Sequence, residues 1–178
     1  MKTRIGVLFM LSILFFSCQK EEEVTIQLPY FIYETSFETN GRFDTDGWTG
    51  KGFSASEDTP FPEDAFSLSL ETEGFAPSGE LERSITGLSG ERSLELQFYA
   101  KTIFEVGEVQ VIRRTPNNFK QVLLTEQISE EDWTYKSYIF EADLDEGDEL
   151  ILQFTTQGGT LDMGIMRLDR VKLYVLNP

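Results

Sequence analysis

Histidine is absent from all 178 residues, and cysteine occurs once, at Cys18. Without histidine there is no Ser-His-Asp or Cys-His nucleophile pair and no His-bearing metal site. A lone cysteine cannot close a disulfide within the chain. Positive charge is also scarce, with 15 Lys and Arg against 31 Asp and Glu and a net charge of −16. Nucleic acid is therefore not an expected partner, because phosphate backbones are held by clustered Lys and Arg. No Gly-rich phosphate loop follows a strand pattern. Long helical periodicity, internal repeats and a Pro/Gly-rich linker are all missing.

What is present begins with an apolar run from Ile5 to Phe16, preceded by Lys2 and Arg4 and ending at Phe16-Ser17-Cys18. A spanning helix needs about 20 apolar residues to cross a hydrocarbon core of about 30 Å, so this run is too short. It suits the apolar part of an export signal. The pattern resembles a bacterial lipoprotein signal, with the small Ser17 placed before a cysteine that becomes lipidated. Phe15 and Phe16 depart from the more usual Leu-Ala at that place. The other reading is a plain secretory signal with Cys18 as an idle thiol. The resemblance implies a signal peptide over residues 1–17 and a lipid on Cys18. Residues 1–17 hold two basic residues and no acid, so the chain from Cys18 carries 13 basic against 31 acidic residues, a net charge of −18. Such a charge is repelled by an anionic membrane surface, which leaves the lipid as the membrane contact. It also discourages self-association, so a monomer is expected. Residues 18–23, Cys-Gln-Lys-Glu-Glu-Glu, are too polar to pack and read as a tether. The same run is similar to export tags of Gram-negative lipoproteins, which implies an outer-membrane, surface-exposed location; a solvated spacer is the alternative.

The remaining stretch, residues 24–178, reads as one domain. Apolar and polar residues alternate over short segments: Phe31, Tyr33 and Phe37; Phe66, Leu68 and Leu70; Leu94, Leu96 and Phe98; Val109 and Val111; Leu150, Leu152 and Phe154; Val171, Leu173 and Val175. Alternation puts one face of each strand in a core and the other in water, which favours antiparallel sheets. Turn chemistry separates the segments at Thr39-Asn40-Gly41, Pro60-Phe61-Pro62, Gly87 to Gly90, Pro116-Asn117-Asn118, Glu146-Gly147-Asp148 and Gly158-Gly159. Nine or ten short strands predict an all-β fold, a two-sheet antiparallel β-sandwich or jelly roll.

Particular residues carry a family likeness. Ser36-Phe37-Glu38, Gly41 and Asp46-Gly47-Trp48 resemble the opening of galactose-binding-like jelly rolls, the fold of many carbohydrate-binding modules. Leu81 to Lys101, ending Phe98-Tyr99-Ala100-Lys101, is similar to the middle of such domains. Trp133-Thr134-Tyr135 and Leu168-Asp169-Arg170-Val171 resemble their later strands. The likeness implies a non-catalytic binding module that captures a glycan or glycoconjugate. It also implies one structural Ca²⁺, with Glu38 and Asp169 at the matching acidic positions and backbone carbonyls near Asn40 and Gly41 completing the shell. Arg170 departs from the pair of adjacent acids often found there, and a salt bridge from it would make the ion unnecessary. The alternative function is a structural or protein-interaction lipoprotein of an envelope complex, with no sugar site.

Other constellations were candidates for chemistry. Glu141-x-Asp143-x-x-Glu146 has the spacing of a glycosidase strand with two working carboxylates, yet it runs directly into Gly147-Asp148, so it reads as a solvated turn and no enzyme is expected. Asp44-Thr45-Asp46-Gly47 could face Ca²⁺ or form an Asx-type turn, and position 12 of an EF-hand loop would be Ala55, not Glu. Aromatic rings that stack on sugars stand outside the core. Tyr99, out of phase with Leu96 and Phe98, and Trp48, between Gly47 and Gly50, are the expected ligand-binding pair. Trp133, opening an alternating strand, is expected in the core.

Overall fold

The computed structural model of the protein describes residues 29–72, 79–156 and 164–177. The signal (1–17), Cys18 and the tether (18–23) lie outside the described residues, as does Gly158-Gly159. Among the described residues there are thirteen strands and no helix. One sheet contains β1 (Tyr30–Thr35), β5 (Phe53–Ser56), β6 (Ser67–Glu71), β8 (Gly90–Ile103), β11 (Thr134–Leu144) and β13 (Ile165–Asn177). Its order is β11-β8-β13-β6-β5, with β1 also beside β13. The other sheet runs β10-β9-β12-β7-β4, from β4 (Thr49–Lys51), β7 (Gly79–Ile85), β9 (Gly107–Arg114), β10 (Lys120–Ile128) and β12 (Glu149–Thr156). A hairpin of β2 (Glu38–Thr39) and β3 (Arg42–Phe43) turns through Asn40-Gly41, both at positive φ. All pairings are antiparallel, so the expected all-β sandwich is the fold observed.

The core is built by the alternation. Leu94, Leu96, Phe98 and Ala100 on β8 face Val109 and Val111 on β9 and Leu150, Leu152 and Phe154 on β12 across the sandwich, all fully buried. Burying each such Leu or Phe side chain contributes roughly 1.5–3 kcal/mol.

Alternation fails where the backbone is irregular. Phe31 and Tyr33 were expected on one face, but the β1–β13 register shifts between them. Tyr33 turns inward, and Phe31 is 55% exposed on the outer side. The bulge adds a residue to one strand and reverses its faces. On β13, Met166 and Leu168 point inward, then Val171, Leu173 and Val175 do. The change of phase falls at Asp169-Arg170, where Arg170 has φ of 47° and pairing passes from β6 to β1.

The connection from β5 to β6, residues 57–66, folds back as a strap over the outer side of the six-stranded sheet. Asp58 pairs with Lys101 and with Arg167, and its carbonyl accepts from the Ser67 hydroxyl at 2.7 Å. Ser67 and Ser69, which alternation assigns to solvent, are buried.

Candidate functional site

The outer face of the six-stranded sheet gathers side chains from four adjacent strands, β11, β8, β13 and β1. Each lies out of phase with the core, so the strand period fixes which residues appear there. Tyr99 on β8 is paired with Tyr135 on β11, and Glu95 with Ile139 on β11 and with Tyr174 on β13. Tyr174 is paired with Phe31 on β1.

Two aromatic groups result. In the first, the Phe31 and Tyr174 rings are 4.6 Å apart, and the Lys172 ammonium lies 5.7 Å from the Phe31 centroid. In the second, Tyr99 packs against a tilted Tyr135 at 5.3 Å and meets Phe61 of the strap edge-on at 4.8 Å. The Arg170 guanidinium covers the other side of Phe61 at 3.5 Å and donates to both Asp64 carboxylate oxygens and to Glu63. Between the groups runs a polar row. Lys172 pairs with Glu34 at 2.6 Å, and the Ser137 hydroxyl donates to Glu95 at 2.6 Å. Gln97 lies between Lys172 and Ser137 in register. Tyr135 is 48% exposed. Partial burial, with Glu95 nearby, pushes its phenol above the usual range, so the ring stays neutral.

The outer face of the five-stranded sheet differs. The Gln153 amide donates to Glu80 and Glu82, and the Gln110 amide to Glu108. It carries no aromatic side chain among the described residues.

Of the expected ligand pair, only Tyr99 lies on an outer face. Trp48 is a correction: it is 2% exposed and packs against Phe37 and Phe154. Its indole N–H donates to the Tyr33 hydroxyl at 2.7 Å, so neither face of the ring can meet a sugar. The flanking glycines serve the backbone. A Cβ on Gly50 would collide with the Glu80 carbonyl, which lets β4 lie close against β7. Trp133 is a correction in the other direction. It stands outside the core cluster, with its N–H on Asp58 at 3.0 Å and the Lys101 ammonium 5.5 Å from its ring.

The acids fall into three settings. β11 ends at Leu144, and Asp145 to Asp148 make a turn closed by the Asp148 side chain and clamped by Arg113. Glu141 and Glu146 therefore do not share a strand. Glu141 and Asp143 line an open cavity of ≈ 560 Å³ with Glu91, Arg113, Gln121 and Leu123. Asp44 accepts from the Asp46 N–H at 2.9 Å, an Asx-type turn.

At the β13 bulge, Asp169 is fully buried opposite Tyr99. Its Oδ1 accepts from the Arg170 N–H at 2.7 Å, and among the described residues its Oδ2 has no partner. Burial, with Asp64 and Glu38 adding repulsion, raises this carboxyl to about 7. Glu38 accepts from the Ala65 and Phe66 N–H groups at the end of the strap. Arg170 turns to Asp64 and Glu63, leaving that Asp169 oxygen unsatisfied. An orphaned buried carboxylate oxygen with a second acid nearby fits a hard cation. Among the described residues no three acidic side chains converge as a metal-holding group, so carbonyls would have to supply most ligands.

No family model matches the chain, and no curated protein does. Solved structures do match in fold. One is the CBM22-1 xylan-binding domain of Paenibacillus barcinonensis Xyn10C, 18% identical, with TM-score 0.58, over 85% of this chain and 98% of that one. A family 16 carbohydrate-binding module matches at 20% identity and TM-score 0.57, over 81% and 99% of the two chains. A module solved with β-1,4-galactotriose matches at 12% identity and TM-score 0.50, over 79% and 99%. The fold is the jelly-roll sandwich of these carbohydrate-binding modules.

Proposed function

We propose that this chain is a non-catalytic glycan-binding module, held at the outer surface of a Gram-negative outer membrane by lipid on Cys18. One observation carries the binding reading: aromatic rings and hydrogen-bonding side chains share the outer face of one sheet. Sugars offer an apolar ring face bordered by hydroxyls, and an exposed aromatic beside an amide or paired charge complements both. The likeness in fold to xylan- and galactotriose-binding modules supports the same reading. A protein partner of an envelope complex would be favoured by one continuous apolar patch. Here a polar row divides the rings.

Asp169, Glu38 and backbone carbonyls would hold one Ca²⁺, whose charge would satisfy the buried carboxylate and stiffen the strap beside Tyr99. The test of function is a glycan array probed with the chain from Val24 onward. Retention of at least one glycan class is expected, without release of reducing ends. Failure to bind any glycan refutes the binding reading. Turnover that disappears in Glu141→Gln and Glu146→Gln would make the protein an enzyme instead.

A further inference from the structure

We propose that the outer face of the six-stranded sheet takes an uncharged linear glycan as a chain, lying obliquely across β13, β8 and β11 from Tyr174 to Tyr135. This rests on the glycan-binding reading above and adds the ligand's charge, its length and its path.

The path follows from register. Tyr174 is level with Glu95 of β8, and Tyr135 is level with Tyr99. The two rings are thus four residues apart along the strands and two strands apart across them. At roughly 3.3 Å per residue and 4.8 Å per strand, the separation is about 16 Å. One sugar ring cannot touch both stations, but a chain of several can. Gln97 sits at the middle of that diagonal, two residues from each level on the central strand. Its amide makes no side-chain hydrogen bond among the described residues, whereas its neighbours Lys172 and Ser137 are engaged by Glu34 and Glu95. A free amide offers two donors and an acceptor, which suits neighbouring hydroxyls on a sugar.

Charge selects among glycans. Lys172 and Glu34 neutralise each other, leaving Glu95 as the unneutralised charge of the strip, on a chain with net charge −16. Uronate or sulfated chains are repelled, and a second copy of this protein is repelled too. The five-stranded sheet is the poorer candidate, because its Gln153 and Gln110 amides are already bonded to Glu80, Glu82 and Glu108 and, among the described residues, it has no ring to stack on.

The test uses the whole chain. Its retention is measured on neutral xylan, mixed-linkage glucan, galactan and mannan, and on anionic polygalacturonate and alginate. Oligosaccharides of increasing length, cut from the best-retained polysaccharide, are then titrated by calorimetry. Neutral chains should be retained, with affinity rising with length until both stations are spanned. Tyr135→Ala and Gln97→Ala should each weaken the long chains roughly tenfold, as hot-spot truncations do. They should leave disaccharide binding nearly unchanged, and Gln153→Ala should have no effect. Gln97→Ala removes no packed ring, so it decides the matter should Tyr135→Ala fail to fold. Length-independent affinity, preference for an anionic chain, or loss in Gln153→Ala but not in Gln97→Ala overturns the proposal and leaves glycan binding standing. Retention of none of the polysaccharides overturns both.

Discussion

Trp48 packs against Phe37 and Phe154 with its one polar atom on Tyr33. Nothing local in Gly47-Trp48-Thr49-Gly50 distinguishes that from an exposed ring between two flexible residues, because the partners come from distant strands. Trp48→Ala should cost about 3–5 kcal/mol in a denaturant titration, the range for a buried aromatic reduced to Ala. The folded fraction should bind glycan normally, and a stable variant that loses binding would put Trp48 back in the site. Asp169 presents the opposite case, since its acidic position was legible in sequence and its burial was not. The unfolded carboxyl ionises near 3.8 and the folded one at about 7, so between them the native state holds the extra proton. The group's contribution is full below the lower value and is lost as pH rises through the higher one. In chelator, the melting midpoint should therefore fall between about pH 5 and about pH 8 by more in the wild type than in Asp169→Asn. Millimolar Ca²⁺ should recover the loss at the upper end, because an ion bound to the native state alone adds about 2.7 kcal/mol at a hundredfold excess over Kd. Coincident curves in Ca²⁺ and chelator would exclude the ion.

At the scale of the strand, periodicity identified the inward residues of β8, β9 and β12 and the second half of β13. It could not identify the outer face. β11 carries Tyr135, Ser137 and Ile139 on one parity and Lys136, Tyr138 and Phe140 on the other, so both sides look half apolar. The clearest available signal was Tyr99 itself, whose antiparallel partner had to be another outward residue. Phe31 was assigned to the wrong side because a bulge is invisible to a period of two. The strap was legible only as Pro60-Phe61-Pro62, a turn; that it returns over the sheet depends on Arg170, far along the chain. Arg170 clamps it through Asp64, Glu63 and the face of Phe61. Arg170→Gln should destabilise the fold by about 2 kcal/mol, the scale of hydrogen bonds to charged groups. Limited proteolysis should then cut within residues 57–66. An unchanged melting midpoint and an uncut strap would show that the packing of Phe61 on Tyr99 is sufficient.

At the scale of the whole molecule, the sandwich class was legible because turn residues and alternation agree along the chain. The arrangement that the proposed anchor would impose follows from where β1 begins. Tyr30 pairs with Val175, which lies beside Leu94 and, through it, Phe140. The chain therefore enters the sandwich at the end where Tyr174 and Phe31 lie, and Tyr135 lies toward the other end. From Cys18 to Pro29, a fully extended chain reaches at most about 40 Å. With lipid on Cys18, the binding strip would thus rise from the bilayer, its near station within reach of the surface. A net charge of −18 from Cys18 onward gives the rest of the protein no attraction to anionic headgroups, so on the proposed anchor the acyl chains would carry the whole attachment. Each buried CH₂ contributes about 0.8 kcal/mol, and stable anchoring takes more than one chain. Cys18→Ala should therefore abolish labelling by a tagged fatty acid and move the protein from the membrane fraction to the soluble one. High salt should not release the wild type, because a lipid attachment would be hydrophobic. The freed variant should bind glycan in solution as the wild type does, while cells expressing it no longer retain that glycan at their surface. A variant that stays with the membrane, together with a wild type that never takes up the label, would refute the anchor and leave Cys18 an ordinary thiol.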